Sequence, residues 1–277
     1  MIKNNSLIEH QLKKRSVLFC HLSKNSEASL IEQQLELVIE EPLSINVQGQ
    51  TYSVIMRTPG EEKEHAAGFC LSEGLVDHPD DIVDIALCDG ENSNVVAVML
   101  TKERAEKISD LLNRKGFVSQ TSCGICGREI IDDLNLILTS VPERIFLSFR
   151  QVIDIVERMD DLQNLKKRSL ASHAALVFDR NLNIISYAED AGRHNALDKA
   201  IGGLFLNHEL KRCAVALISS RASYEMIQKC ARAGIEIVIS MSIPTTLACE
   251  LGQRLGMTLA AVRKNKMFIF TGQSRIV

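Results

Sequence analysis

The chain is expected to fold as an α/β protein, α+β overall, in two domains: a smaller N-terminal α+β domain and a C-terminal layered α/β domain. Three observations lead there. Its 277 residues, 45% of them hydrophobic, are enough for a well-buried core and for two domains. Short apolar stretches and turns crowd the first hundred residues. From Ser169 onward, strand-length apolar runs alternate with helix-length segments, the pattern that packs helices on a mixed sheet.

Residues 1–34 read as a polar, irregular N-terminal tail. Within it Lys13, Lys14 and Arg15 precede Ser16-Val17-Leu18-Phe19-Cys20, an apolar run that is too short for a signal peptide and is ended by His21. It is assigned to the tail or to a partner contact. The N-terminal domain spans 35–168. Residues 35–40 alternate as a half-buried strand, which Pro42 edges. Residues 43–47, the Gln48-Gly49-Gln50 turn and residues 52–57 read as a hairpin, and Thr58-Pro59-Gly60 punctuates it. Residues 61–72 are helical, stopped by Gly74. Residues 82–88 and 94–100 form two more strands, 102–114 a surface helix, and a loop bearing two cysteines follows. Residues 130–138 and 149–159 are helical on either side of the Val141-Pro142 break. In the C-terminal domain, 169–277, strands are expected at 174–178, 184–187, 214–219, 236–240, 258–262 and 267–270. Helices are expected at 195–205, 223–233 and 245–255.

Thirty-two basic against thirty-five acidic side chains leave a net charge of -3, so bulk electrostatics recruits neither nucleic acid nor an anionic membrane. The absence of Trp and 4% aromatic content leave few platforms for stacking bases. No apolar run approaches the roughly 20 residues that span a bilayer. The eight cysteines are scattered through apolar segments without the density of a secreted disulfide scaffold, which points to reduced thiols in a cytoplasm.

Cys123-Gly124-Ile125-Cys126 lies in a run of small residues, 119–127, and presents two thiols on a sterically open loop. A thiol reacts as its thiolate, and a second cysteine two residues on can lower the pKa, resolve a disulfide or accept a relayed sulfur. Half a zinc site, a thioredoxin-like couple and a sulfur-handling loop all use such a pair. A zinc ribbon needs a second pair, which the sequence lacks, so no metal site is assigned. A thioredoxin motif belongs early in a βαβ unit, whereas this one lies mid-chain after a helix. Arg128 and a following helix start favour thiolate character at Cys126, so local electrostatics does not decide between the two cysteines.

Three strand-to-helix junctions of the C-terminal half carry hydroxyl or basic residues: Asp190-Ala191-Gly192-Arg193-His194-Asn195, Ser219-Ser220-Arg221-Ala222-Ser223 and Ser242-Ile243-Pro244-Thr245-Thr246. Helix N-termini are ready-made anion sites, and a phosphorylated ligand between Arg193 and Arg221 fits them if they share one sheet edge. Taken singly, Asn195, Ser223 and Thr245 read as N-caps, Asp190 and Asp198 as capping or dipole partners, and Lys199 as an exposed helix charge. His173, beside Ser172 and Ser169, is balanced between a structural and a site role.

The strings Glu41-Pro42-Leu43, Met56-Arg57-Thr58-Pro59-Gly60, Ala66-Ala67-Gly68-Phe69, Ser72-Glu73-Gly74, Ser122 to Gly127, His173-Ala174-Ala175, Asp190 to Lys199, Arg221-Ala222-Ser223 and Pro244-Thr245 occur in the order of one family. On these the chain resembles the FdhD family, the formate dehydrogenase accessory sulfurtransferases, from about Glu40 to Thr271. The resemblance implies a cytoplasmic homodimer whose second domain is cytidine-deaminase-like. It implies sulfur taken as a persulfide from an IscS-type cysteine desulfurase and passed to molybdenum bis(molybdopterin guanine dinucleotide) before that cofactor enters the formate dehydrogenase apoenzyme, with a guanine nucleotide as the analogue. It assigns the persulfide to Cys123 with Cys126 assisting. It places cofactor contacts at Ala261, Val262, Arg263, Lys264, Asn265 and Lys266, beside Arg193, His194, Asn195, Ser219, Arg221 and His173. The chain departs from the pattern in three places. Ser169-Leu170-Ala171-Ser172 replaces a Thr-Gly-Gly, Ser220 replaces the Gly of Ser-Gly-Arg, and Ala261 replaces an aromatic. Two other readings stand beside this one, a cofactor-binding chaperone that transfers no sulfur and a thiol-disulfide oxidoreductase. Zinc-dependent deamination is argued against, because no His-x-Glu partnered with Pro-Cys-x-x-Cys occurs.

Overall fold

The computed structural model describes residues 8–20, 30–88, 94–109, 138–264 and 266–277. The first element departs from expectation. β1 (Leu12–Cys20) and β2 (Leu30–Val38) pair antiparallel as a two-stranded ribbon, so residues 12–20 and 30–34 are not irregular tail. Cross-strand partners supply what local composition conceals: Phe19 faces Ile31 and Lys14 faces Glu36.

A second sheet has the order β4-β3-β6-β5, with β3 (Glu41–Val47), β4 (Gln50–Arg57), β5 (Ile82–Leu87) and β6 (Val95–Leu100). The expected hairpin 43–57 is its β3-β4 pair, and β3 also runs parallel to β6. Helix α1 (Glu62–Ser72) packs on one face, against Leu43, Ile45, Val96 and Val98. α2 (Lys102–Lys107) follows β6, with the Thr101 hydroxyl accepting from the Arg104 N–H as an N-cap. The expected helix at 130–138 lies outside the described residues, apart from its last position.

The third sheet is mixed and has the order β12-β11-β10-β9-β7-β8. Its strands are β7 (His173–Phe178), β8 (Ile184–Asp190), β9 (Val215–Arg221), β10 (Ile237–Ser242), β11 (Thr258–Arg263) and β12 (Lys266–Thr271). Helices α5 (Arg193–Leu206), α6 (Tyr224–Arg232) and α7 (Thr246–Arg254) contribute to the core on one face. α3 (Phe149–Leu162) lays Val152, Ile155 and Met159 on the other, against Leu176, Leu217 and Ile239, and the short α4 (Asn164–Ser169) leads into β7. Every strand and helix expected after Ser169 is present.

The two halves share one core. Apolar side chains run without interruption from β3 and β6 through α1 into α5, α6 and the six-stranded sheet. α1 and α5 meet backbone to backbone: a Cβ on Gly68 would stand 2.0 Å from the Asp198 carbonyl oxygen, and one on Gly202 1.8 Å from that of Glu64. Only glycine fits at those crossings. Among the described residues no helix is long and apolar enough to cross a membrane.

Candidate functional site

The strand directions decide where the three junctions go. β9, β10 and β11 are parallel, while β7 is antiparallel to both β8 and β9, so β8 through β11 all end on one rim of the sheet and β7 begins there. His173 stands opposite Asp190, Ser242 opposite Arg221, and Ser240 opposite Ala261. The residues singled out at 173, 193–195, 219–221 and 261–266 therefore lie along one edge, except Asn265, which lies outside the described residues. Cys123 and Cys126 also lie outside the described residues.

The floor of this rim is a buried polar knot that joins the halves. Asp190, fully buried, accepts from Lys199 Nζ at 2.7 Å, Thr58 N at 3.0 Å, Gly192 N at 2.8 Å and Asn195 Nδ2 at 2.9 Å. Lys199 also donates to the Thr58 carbonyl and Asn195 to that of Met56. Lys199 is thus no exposed helix charge, and Asn195 is no N-cap: Gly192 caps α5 and the Asn195 amide ties β4 to the rim. A charge this deep is tolerated because it is paired and saturated with donors. A second knot sits behind it, where Lys229 donates to both oxygens of Asp198 at 2.9 and 2.8 Å and Ser72 donates to the same carboxylate.

Above the floor the rim gathers positive charge. His173 Nδ1 lies 3.3 Å from Ser219 Oγ, which accepts from the Ala174 N–H at 2.9 Å, leaving the hydroxyl proton for the ring. Burial, then the positive charges of Arg193 and Lys166, hold the His173 pKa below its ordinary value, so the ring is neutral at pH 7. His194 Nε2 is 2.8 Å from Glu225 Oε2, and this contact pulls the carboxyl below the usual carboxylate range. Arg193 keeps a buried Nε without a partner, and Ser223 at the start of α6 has a buried, unpartnered Oγ that caps nothing. Thr245, by contrast, is an ordinary N-cap, its hydroxyl accepting from the Ala248 N–H. Arg221, Arg263, Lys264 and Lys266 are exposed. Ala261 is fully buried, so it offers a ligand no side chain.

Where Ser169-Leu170-Ala171-Ser172 replaces the Thr-Gly-Gly, the chain still turns through a left-handed residue. Leu170 takes φ 58° and ψ 12°, the left-handed conformation that glycine adopts freely, and stands 84% exposed at the end of α4. Ser172 and the backbone N–H groups of Leu165 and Lys166 all donate to Glu189, which fixes the approach to His173. The reading of the sequence missed Glu225 and Lys229. Their only linear signal is the α6 spacing that places both on the side facing α5.

Burial raises the thiols of Cys70 and Cys230 and pushes that of Cys213 up to about 12, so these three hold no thiolate at neutral pH.

Fold and rim together define a class: an α+β protein in which a small mixed sheet is welded through one helix to a six-stranded sheet with a cation-rich edge. The chain belongs to the FdhD/NarQ family, whose model matches residues 38–277. It is 34% identical over 253 residues to the sulfur carrier protein FdhD of Streptomyces coelicolor, covering 87% of this chain and 88% of that protein. It is 34% identical over 250 residues to the sulfur carrier protein FdhD of Picrophilus torridus, covering 87% and 92%. A crystal structure from Desulfotalea psychrophila, described as a formate dehydrogenase accessory protein, superposes with a TM-score of 0.72 at 20% identity, over 96% of this chain and 100% of that one. That likeness is one of fold.

Proposed function

We propose that the chain is a cytoplasmic sulfur carrier in the maturation of formate dehydrogenase. It takes sulfur from an IscS-type cysteine desulfurase and passes it to molybdenum bis(molybdopterin guanine dinucleotide), bound as substrate, before that group enters the apoenzyme. The observation that carries the reading is the rim: Arg193, His194, Ser219, Arg221 and Arg263 converge on one sheet edge, with a buried serine hydroxyl and a guanidinium nitrogen left without protein partners. Phosphates satisfy such donors bidentately and at a helix N-terminus. Family membership supplies the sulfur.

In this reading the Cys123 thiolate attacks the outer sulfur of the donor persulfide. The donor's inner sulfur leaves as a thiolate, and Cys123 becomes a persulfide. Cys126 then accepts that outer sulfur by the same exchange, or attacks the Cys123 Sγ, closing a disulfide and freeing hydrosulfide. His173, kept neutral, adds a hydrogen-bonding group to the rim without adding a charge.

Two measurements test this. Intact mass after incubation with a desulfurase and cysteine is expected to show one added sulfur on the wild type and none on Cys123→Ala/Cys126→Ala. Calorimetry with GDP is expected to show binding that Arg193→Ala and Arg221→Ala weaken. Sulfur that survives loss of both cysteines overturns the carrier role. Client activation that also survives it establishes the chaperone reading instead, and disulfide reduction in an insulin-type assay establishes the oxidoreductase one.

A further inference from the structure

The first turns of α5 and α6 meet at the rim, and the charged side chains between the two helices form two rungs. In the lower rung Lys229 of α6 donates to both oxygens of Asp198 of α5 at 2.9 and 2.8 Å, and Ser72 donates to the same carboxylate. One turn nearer the rim stand His194 and Glu225, each four residues before its lower-rung counterpart and so on the same helix face. There His194 Nε2 lies 2.8 Å from Glu225 Oε2. The signs are reversed between the rungs, with α5 supplying the acid below and the base above.

The upper rung is open where the lower is sealed. The side chains of His194 and Glu225 are 29% and 47% exposed, against 2% and 9% for Asp198 and Lys229. Arg193 and His194 both act electrostatically on His173 of β7 and on Glu225, so these side chains face one space. The unpartnered Arg193 Nε and Ser223 Oγ lie on the same two first turns. A carboxylate is out of place in such company, because it repels any anion that comes to the rim. Attraction to the positive end of the α6 dipole accounts for an acid in that turn but not for the direction it points. The contact with His194 does: a carboxylate on Nε2 fixes the plane of the imidazole and leaves Nδ1 as its other polar atom.

We propose that Glu225 is a positioning residue for the rim ligand: it holds His194 by Nε2 so that Nδ1 is presented to a phosphate of the nucleotide. With an anion on each edge, the imidazole donates from both nitrogens. The lower rung keeps α5 and α6 in register, so the ring is oriented before the ligand arrives and little ordering is left to be done on binding. This role rests on the nucleotide-binding reading of the rim, and assigns to it a residue that itself touches no ligand.

Calorimetry with GDP on the full chain tests it. Glu225→Ala is expected to bind GDP about tenfold more weakly than the wild type, and Glu225→Gln, which keeps an acceptor for Nε2, no more than about threefold more weakly. His194→Ala is expected to lose about tenfold as well, and the double variant His194→Ala/Glu225→Ala no more than either alone, because both act through one contact. All four variants are expected to melt within about 3 °C of the wild type, since the lower rung carries the packing. GDP binding to Glu225→Ala as tight as to the wild type or tighter, equal losses in Glu225→Gln and Glu225→Ala, or additive losses in the double variant each overturns the role of Glu225 and leaves the rim a nucleotide site. A wild type that binds no GDP overturns the rim reading, and this role with it.

Discussion

The seam between α1 and α5 and the rim above it use similar residues to opposite ends. In the seam, Asp190, Lys199, Asp198 and Lys229 are buried, each has its counter-ion within 3.0 Å, and Asp190, Lys199 and Asp198 have further donors or acceptors besides. A few ångströms outward, Arg193, His194, His173 and Arg221 are half-buried or exposed, and several polar atoms wait without a protein partner. Saturation marks these two ion pairs as architecture, and the unpartnered Arg193 Nε and Ser223 Oγ mark the rim as a place for something else. Charge and residue type alone do not separate the two roles.

The sharpest way to break that contrast is to unpair the seam. Lys199→Met leaves the Asp190 carboxyl buried without its cation, and is expected to cost about 3–5 kcal/mol in chemical denaturation. Gly202→Ala drives a methyl into the Glu64 carbonyl, where neither helix can retreat, and is expected to cost about 3 kcal/mol in the same assay. Rim changes should read out differently. Arg193→Ala is expected to lower GDP affinity by about tenfold while moving stability by less than about 0.5 kcal/mol.

The seam also holds a pH signature. His65 is fully buried, and burial, then the nearby Lys199, Lys229 and Arg57, keep its pKa well below 6.5. A folded pKa depressed in this way means that the unfolded chain takes up a proton first on acidification. Its stabilising effect is full above about pH 6.5 and is lost as pH falls through the window beneath. His65→Leu is expected to remove up to about 1.4 kcal/mol per pH unit of acid sensitivity there, and an unchanged pH profile would refute the assignment. The smallest effect belongs to the turn before His173. Leu170→Gly relieves the left-handed strain at the cost of chain entropy, for a net gain of about 0.5 kcal/mol in thermal melts.

Much of this was legible in the linear chain. Alternation and turn residues gave the six-stranded sheet and its helices, and the hydroxyl-and-arginine junctions gave the rim before any topology was known. Lys199 was not legible: on a helix surface it reads as solvated, and only the packing of the Thr58 loop from the other half buries it. β1 was missed because Lys13, Lys14 and Arg15 mask a strand whose partner is ten residues away, across 21–29. Leu170 shows the converse, a position where the sequence argues against a turn that the surrounding hydrogen bonds, from Lys166 N–H to Glu189 and from Ala171 N–H to Ser169 Oγ, nonetheless impose.

One quieter contact bears on how the molecule is made. Leu147 bridges to Ile276, with Leu147 N–H bonded to Arg275 O and Phe149 N–H to Val277 O, so the start of α3 is clipped to residues synthesised more than a hundred positions later. The stripe of Val152, Ile155 and Met159 is seated by Leu176, Leu217 and Ile239, which are made earlier, so what those last residues add is the fastening of the helix start. A nascent chain halted before Arg275 therefore leaves the start of α3 unfastened while its apolar stripe is already covered.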